Sequence, residues 1–176
     1  MIRELARKLA TFNQFVDFVI IEMTFRSGQF EADAEILKNY SSMALLRVSS
    51  PESEVLVKMI RPRQEIKLAL GSRIQSSEKI WRIFTTSEIL EFVEAIGDRN
   101  KIYQLKPPIV PAFLILETLC AEFPSNFIKL QFKNFITAGE PLSLQGFGNK
   151  LEISSAGVRK ILIGRDFNLE NRRITV

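Results

Sequence analysis

The sequence predicts an α+β domain in which a strongly curved antiparallel sheet wraps one central helix, and three observations carry that expectation. Residues 112–123 read as a helix that is apolar on nearly every side, which only a protein core accepts. The segments flanking it, 15–60 and 127–164, hold short Val-, Ile- and Phe-rich runs broken by Ser-Gly, Ser-Pro and Pro signals, the pattern of a meander of strands. A meander needs one face covered and such a helix needs cover all round, so each element meets the other's requirement.

The chain of 176 residues is 46% hydrophobic, enough for one core or for a compact doubled domain. Its apolar runs, such as 15–23 and 113–116, are too short or too interrupted to span a bilayer, and the first residues lack a signal-peptide layout; a soluble, cytoplasmic protein without membrane attachment is expected. The lone cysteine, Cys120, sits on the apolar helix and reads as a small core residue. Net charge is +4, but the 24 Lys and Arg are scattered among 20 acids with no basic stripe interleaved with aromatics, so nucleic acid is not an expected partner. A mild positive balance suits an acidic ligand instead. The sequence has 0 histidines, which removes histidine acid–base work, histidine metal sites and Ser-His triads; no metal or cofactor is expected.

In chain order, Ile2, Leu5, Leu9 and Phe12 fall on one side of a short amphipathic helix. A long strand is expected over 15–25, a turn at Ser27-Gly28, and further strands over 29–37, 43–48 and 54–60, the last two separated by Ser49-Ser50-Pro51-Glu52-Ser53. Residues 61–67 read as a linker and 74–84 as a strand. Thr85 and Glu88 have capping-box spacing, Ile89, Phe92, Val93 and Ile96 make one apolar face, and Gly97 ends that helix. After a loop over 98–106, Pro111 is placed in the first turn of the core helix. Strands are then expected over 127–135, 142–147, 158–164 and, more weakly, 172–176.

The two halves share an element order. A shift of 111 residues carries Leu5 onto Leu116, Phe12 onto Phe123 and Gly28 onto Gly139. One expectation is therefore a doubled domain, with a truncated helix-plus-meander unit at 1–66 and a full unit at 67–176; the other is that helix-then-meander is merely a common arrangement.

A curled sheet gripping one helix describes a hotdog fold, and particular motifs resemble that superfamily. The stretch Phe84 to Tyr103, ending Gly97-Asp98-Arg99-Asn100-Lys101-Ile102-Tyr103, resembles the MaoC-like hydratase signature, a helix followed by Gly-Asp-x-Asn-Pro-x-His. Lys101 stands at the proline and Tyr103 at the catalytic histidine. Pro108-Ile-Val-Pro-Ala-Phe-Leu-Ile-Leu-Glu117 is similar to the Pro-x-x-Pro-Gly-Val-Leu-x-x-Glu motif of 3-hydroxyacyl-carrier-protein dehydratases. There Glu117 matches the catalytic glutamate, and Ala112 replaces a glycine whose amide binds the thioester oxygen. The strand segment Phe132 to Leu142 carries Gly139-Glu140 where Gly-Asp is usual, so the resemblance covers about 71–176.

The resemblance implies a hydratase or dehydratase of an acyl thioester carried by coenzyme A or an acyl carrier protein, in a homodimer or an internal pseudo-dimer. It implies Glu117, Asp98 and Tyr103 as catalytic candidates and Asn100, Val110, Pro111, Ala112 and Phe113 as substrate-binding ones. Elimination of water from such a thioester needs a base for the proton beside the carbonyl, an acid for the leaving hydroxyl and donors for the carbonyl oxygen. The first amides of the core helix can donate. Glu117, with Phe113, Leu114, Cys120 and Ala121 as helical neighbours, reads as a carboxylate costly to bury unless it works or is paired. The plainer readings are that Glu117 is a half-buried acid paired with an arginine or at a dimer seam, that Asp98 and Asn100 are turn formers, and that Tyr103 is a packing aromatic. An inactive acyl-binding or scaffolding subunit and an acyl-CoA thioesterase are the competing functions.

Overall fold

Ser50 and Ser53 close a two-residue hairpin, their hydroxyls 2.9 Å apart, and from it the register of strand Met43–Ser50 against strand Ser53–Ile60 follows. The computed structural model describes residues 1–63, 79–147 and 150–165. Helix α1 (Ile2–Ala10) leads through a short 3-10 turn (Asn13–Phe15) into β1 (Val19–Ser27), β2 (Ala34–Asn39), β3 (Met43–Ser50) and β4 (Ser53–Ile60). β5 (Arg82–Ile83) precedes α2 (Thr86–Ile96), a 3-10 turn (Lys101–Gln104) and α3 (Ala112–Glu122). β6 (Phe127–Phe132), β7 (Pro141–Phe147), β8 (Lys150–Ser155) and β9 (Val158–Arg165) complete the described residues.

The strands form an antiparallel sheet in the order β2-β3-β4-β1-β6-β9-β8-β7-β5. β1 and β6 meet at its centre, where Met23 lies opposite Leu130, and both are 0% exposed. Register shifts at 20–22, 36–38 and 153–154 bend the strands, the usual effect of an unpaired residue in a ladder. Inward-facing residues such as Phe25, Leu46, Val57, Ile128 and Ile163 share one core with Ile2 and Leu5 of α1 and Ile115, Leu116 and Leu119 of α3. Each fully buried Leu or Ile there contributes roughly 1.5–3 kcal/mol, so α3 is held by burial rather than by caps. The expected α+β architecture, a curved antiparallel sheet around a central helix, is the one observed.

The capping box is present: Thr85 Oγ accepts from Glu88 N at 3.1 Å, and Glu88 accepts from Thr85 N at 3.4 Å. Gly97 ends α2 at φ 71°, a left-handed conformation that an added Cβ disfavours.

Boundaries differ in instructive places. The stretch 15–18 is a turn holding Phe15 edge-on to Phe18 at 5.1 Å, so β1 begins at Val19 instead of Phe15. β2 starts at Ala34, because Asp33 Oδ1 captures Ala34 N at 2.7 Å and Ser49 Oγ accepts from Asp33 N. Pro111 is the N-cap residue of α3, one position before the first turn. β8 was not expected at all. The expected linker 61–67 beyond residue 63, the expected strand 74–84 before residue 79, the halves' boundary at 66/67 and the strand 172–176 lie outside the described residues. The element order α-β-β-β-β does recur as α1-β1-β2-β3-β4 and α3-β6-β7-β8-β9. Gly28 and Gly139 nevertheless differ in setting: Gly139 has φ 78° in the turn before β7, whereas Gly28 is not left-handed.

Candidate functional site

The left-handed Gly97 turns the chain so that Asp98 N donates to Val93 O at 3.2 Å, which sends the Asp98 side chain off the end of α2. Asp98 Oδ1 then accepts from Asn100 N at 2.9 Å, a local aspartate turn. Asn100 is 8% exposed and committed at both ends of its amide. Its Oδ1 accepts from Ile102 N at 3.2 Å, starting the 3-10 turn, and its Nδ2 donates to Phe18 O at 2.8 Å, 82 residues away. That turn brings Tyr103 back towards Asp98, close enough that each side chain shifts the other's proton affinity.

Burial pushes the Asp98 carboxyl above the usual carboxylate range, against the lowering effect of the Asn100 amide and the Tyr103 hydroxyl. Burial, reinforced by the Asp98 charge, drives Tyr103 well above its ordinary value of 10.0. Tyr103 is therefore a neutral hydrogen-bond donor near neutral pH, and Asp98 is the group of the pair that can exchange a proton.

Both face a cavity of about 380 Å³, within the range of small-molecule sites. Its walls come from both halves of the chain: Phe12, Phe15 and Phe18 behind α1, Met59 and Ile60 at the end of β4, Val110 just before α3 with Ala112 and Ile115 in its first turn, and residues 132–136 from the end of β6 onward. Val110 N donates to Ile136 O at 2.8 Å, which fixes the approach to α3 against that last wall. Leu114 N and Ile115 N turn back to Pro111 O, whereas Ala112 N and Phe113 N have no partner among the described residues. Ala112 lies on the cavity wall, so an orphan amide at the positive end of α3 is available there.

The structure thus brings together Asp98, Asn100, Tyr103, Val110 and Ala112. Pro111 and Phe113 are buried beside the cavity without lining it. Glu117 is elsewhere. Its carboxylate takes Arg3 Nε at 2.9 Å and Arg3 Nη2 at 3.1 Å, and the Arg3 guanidinium lies 5.4 Å from the Phe92 ring centre. Side-chain exposures are 50% for Arg3 and 31% for Glu117. Glu117 lines a separate surface cleft with Glu88, Glu91 and Phe92, and an arginine meets its charge. The sequence reading also missed Phe15, Phe18 and Lys133 as wall residues; the run of Phe at 12, 15 and 18 was the available signal.

No family model matches the chain, and no curated protein matches it in sequence. Solved structures do match its fold, which is a hotdog fold. HtdX of Mycobacterium tuberculosis is 12% identical with a TM-score of 0.62, over 93% of this chain and 84% of that one. A MaoC-like dehydratase from Phytophthora capsici is 11% identical with a TM-score of 0.52, over 90% and 72%. An acyl-ACP thioesterase from Bacteroides thetaiotaomicron is 11% identical with a TM-score of 0.50, over 89% and 79%. At these identities the likeness is one of fold. Among the described residues no helix is long and apolar enough to cross a membrane.

Proposed function

We propose that the chain binds an acyl thioester of coenzyme A or of an acyl carrier protein in the seam cavity and interconverts its 3-hydroxyacyl and 2-enoyl forms. The observation that carries this reading is the Asp98–Tyr103 pair on the wall of an apolar cavity, beside the open amide of Ala112. The acyl chain lies against Phe12, Phe15 and Phe18, and the thioester oxygen accepts from Ala112 N–H. In the dehydration direction the C2–H bond breaks and its proton passes to the Asp98 carboxylate. The C2=C3 double bond forms, the C3–O bond breaks, and the departing hydroxide takes the proton back from Asp98 as water. Tyr103 donates a hydrogen bond throughout and carries no proton across. The names of the MaoC-like dehydratase and the acyl-ACP thioesterase among the fold's neighbours support a thioester as the ligand class. In this reading residues 1–66 serve as the internal partner of 67–176, which the mirrored strand order on either side of β1 and β6 supports.

Hydration of crotonyl-CoA and of longer 2-enoyl-CoA substrates, followed by loss of enoyl absorbance, tests the proposal. Asp98→Asn is expected to lower kcat about 100-fold or more, in line with general acid–base contributions. Binding of enoyl-CoA with no turnover by the unaltered protein would leave an acyl-binding subunit, and release of free thiol would make it a thioesterase.

A further inference from the structure

Among the described residues that line the seam cavity two are charged, with opposite sign: Asp98, half-buried, and Lys133, exposed. Among the described lining residues Lys133 and its neighbour Asn134 are the exposed ones, so they mark where the cavity opens. Their backbone is anchored. Lys133 N donates to Lys160 O at 2.8 Å, Asn134 Nδ2 donates to Arg159 O at 2.8 Å, and Lys160 Nζ both donates to Phe135 O at 2.9 Å and pairs with Glu140 at 2.6 Å. Several other cations of the described sheet face are already matched: Lys129 with Glu22, Arg159 with Glu152, Arg47 with Glu35 and Glu54. Lys133 is exposed, lines the cavity and has no ion-pair partner among the described residues, and a cation left without a carboxylate beside an opening is an anion acceptor.

We infer that Lys133 receives the phosphate that ends the pantetheine arm of the thioester, while the acyl group lies inside against the aromatic wall. The inference rests on the proposed acyl-thioester reading and adds to it the part of the ligand that stays outside. A thioester inside the cavity must lead its thiol arm out through the opening, and the phosphate is the first fixed charge along that arm. Lysine suits this position because it offers a mobile point charge to a phosphate that need not sit in one geometry. The same phosphate occurs in coenzyme A and on a carrier protein.

Binding of octanoyl-pantetheine, which is uncharged, and octanoyl-4′-phosphopantetheine is compared by calorimetry on the full chain, as it stands and as Lys133→Ala and Lys133→Arg. The expected result is that the phosphorylated ligand binds about fivefold more tightly. Lys133→Ala should abolish that advantage without altering the uncharged ligand, Lys133→Arg should keep it, and the advantage should shrink with added salt. Equal affinities for the two ligands in the unaltered protein, or equal weakening of both by Lys133→Ala, would overturn the inference while leaving the acyl reading intact. Failure of both ligands to bind would overturn the two together. Octanoyl-CoA and an octanoyl carrier protein, titrated in parallel, identify the source: a Lys133→Ala loss on either supports the assignment, and a loss on neither refutes it.

Discussion

Removing the Tyr103 hydroxyl is the most direct probe of the site, because it removes the polar group that acts on Asp98 and leaves the ring that fills the buried position. Tyr103→Phe takes away the hydroxyl that lowers the proton affinity of the Asp98 carboxylate, while Asn100 N still donates to it at 2.9 Å. A hydrogen bond to a charged group contributes about 1.5–3 kcal/mol. The lower end applies, since Asp98 is only partly buried and its remaining donor can tighten. About 1.5 kcal/mol corresponds to roughly a tenfold gain in proton affinity. Burial already holds that affinity above the ordinary value, so the variant moves it further in the same direction. The assay is a pH titration of carboxyl carbon shifts in protein labelled at aspartate, with Asp98 assigned by its loss in Asp98→Asn. An Asp98 midpoint that stays put or falls in Tyr103→Phe would refute the pairing. The same linkage has a stability signature. A carboxyl that holds its proton more tightly in the fold than in the unfolded chain stabilises the fold only while protonated. That contribution is full below the unfolded value near 3.9 and is lost as pH rises through the folded one. Asp98→Asn should therefore unfold at higher urea than the unaltered protein at neutral pH, and the difference should vanish in acid.

Asn100→Ala leaves Phe18 O and the start of the 3-10 turn without their partners, and urea unfolding should show a loss of about 1–3 kcal/mol. Glu117→Gln should leave turnover unchanged and cost less than about 1 kcal/mol, because its arginine is half exposed; a collapse of activity would return Glu117 to the chemistry. Lys160→Met removes one member of a pair in which Lys160 is 12% and Glu140 11% exposed, leaving a buried carboxylate. A loss of about 3 kcal/mol is expected, with a rise in KM, since Lys160 also fixes the wall at Phe135 O.

Much of the fold was legible in local signals that act within a few residues. The Thr85–Glu88 box, Gly97 and the all-apolar face of α3 state their structural consequence in the sequence itself, and each was found where expected. β8 was not legible, because Leu151 and Ile153 are its only large apolar residues and the strand alternates them with Glu and Ser. The site divides the same way. Asp98, Asn100 and Tyr103 lie within six positions on one turn, so a motif could bring them together. The placing of Glu117 was not legible for a different reason: its helical neighbours announce burial, but nothing local announces Arg3, 114 positions earlier. A partner that far away is set by how α1 and α3 pack, which periodicity does not encode.

The seam location of the cavity has a consequence for how the site can lose function. Asn100 joins the loop of Asp98 and Tyr103 to Phe18 O, and Phe18 forms a wall of the cavity and also stacks beneath Arg61 at 4.9 Å. The acid is thus positioned by a hydrogen bond to the other half of the chain, while α3, carrying the open amide, is positioned by its own half through Val110 N and Ile136 O. The two chemical groups are referenced to opposite sides of the β1–β6 contact. A substitution that loosens this contact, such as Leu130→Ala at about 2–5 kcal/mol, should therefore spoil the alignment of acid and amide as well as the stability. If turnover in Leu130→Ala under fully folded conditions equalled that of the unaltered protein, the two groups would have to be held by one half alone.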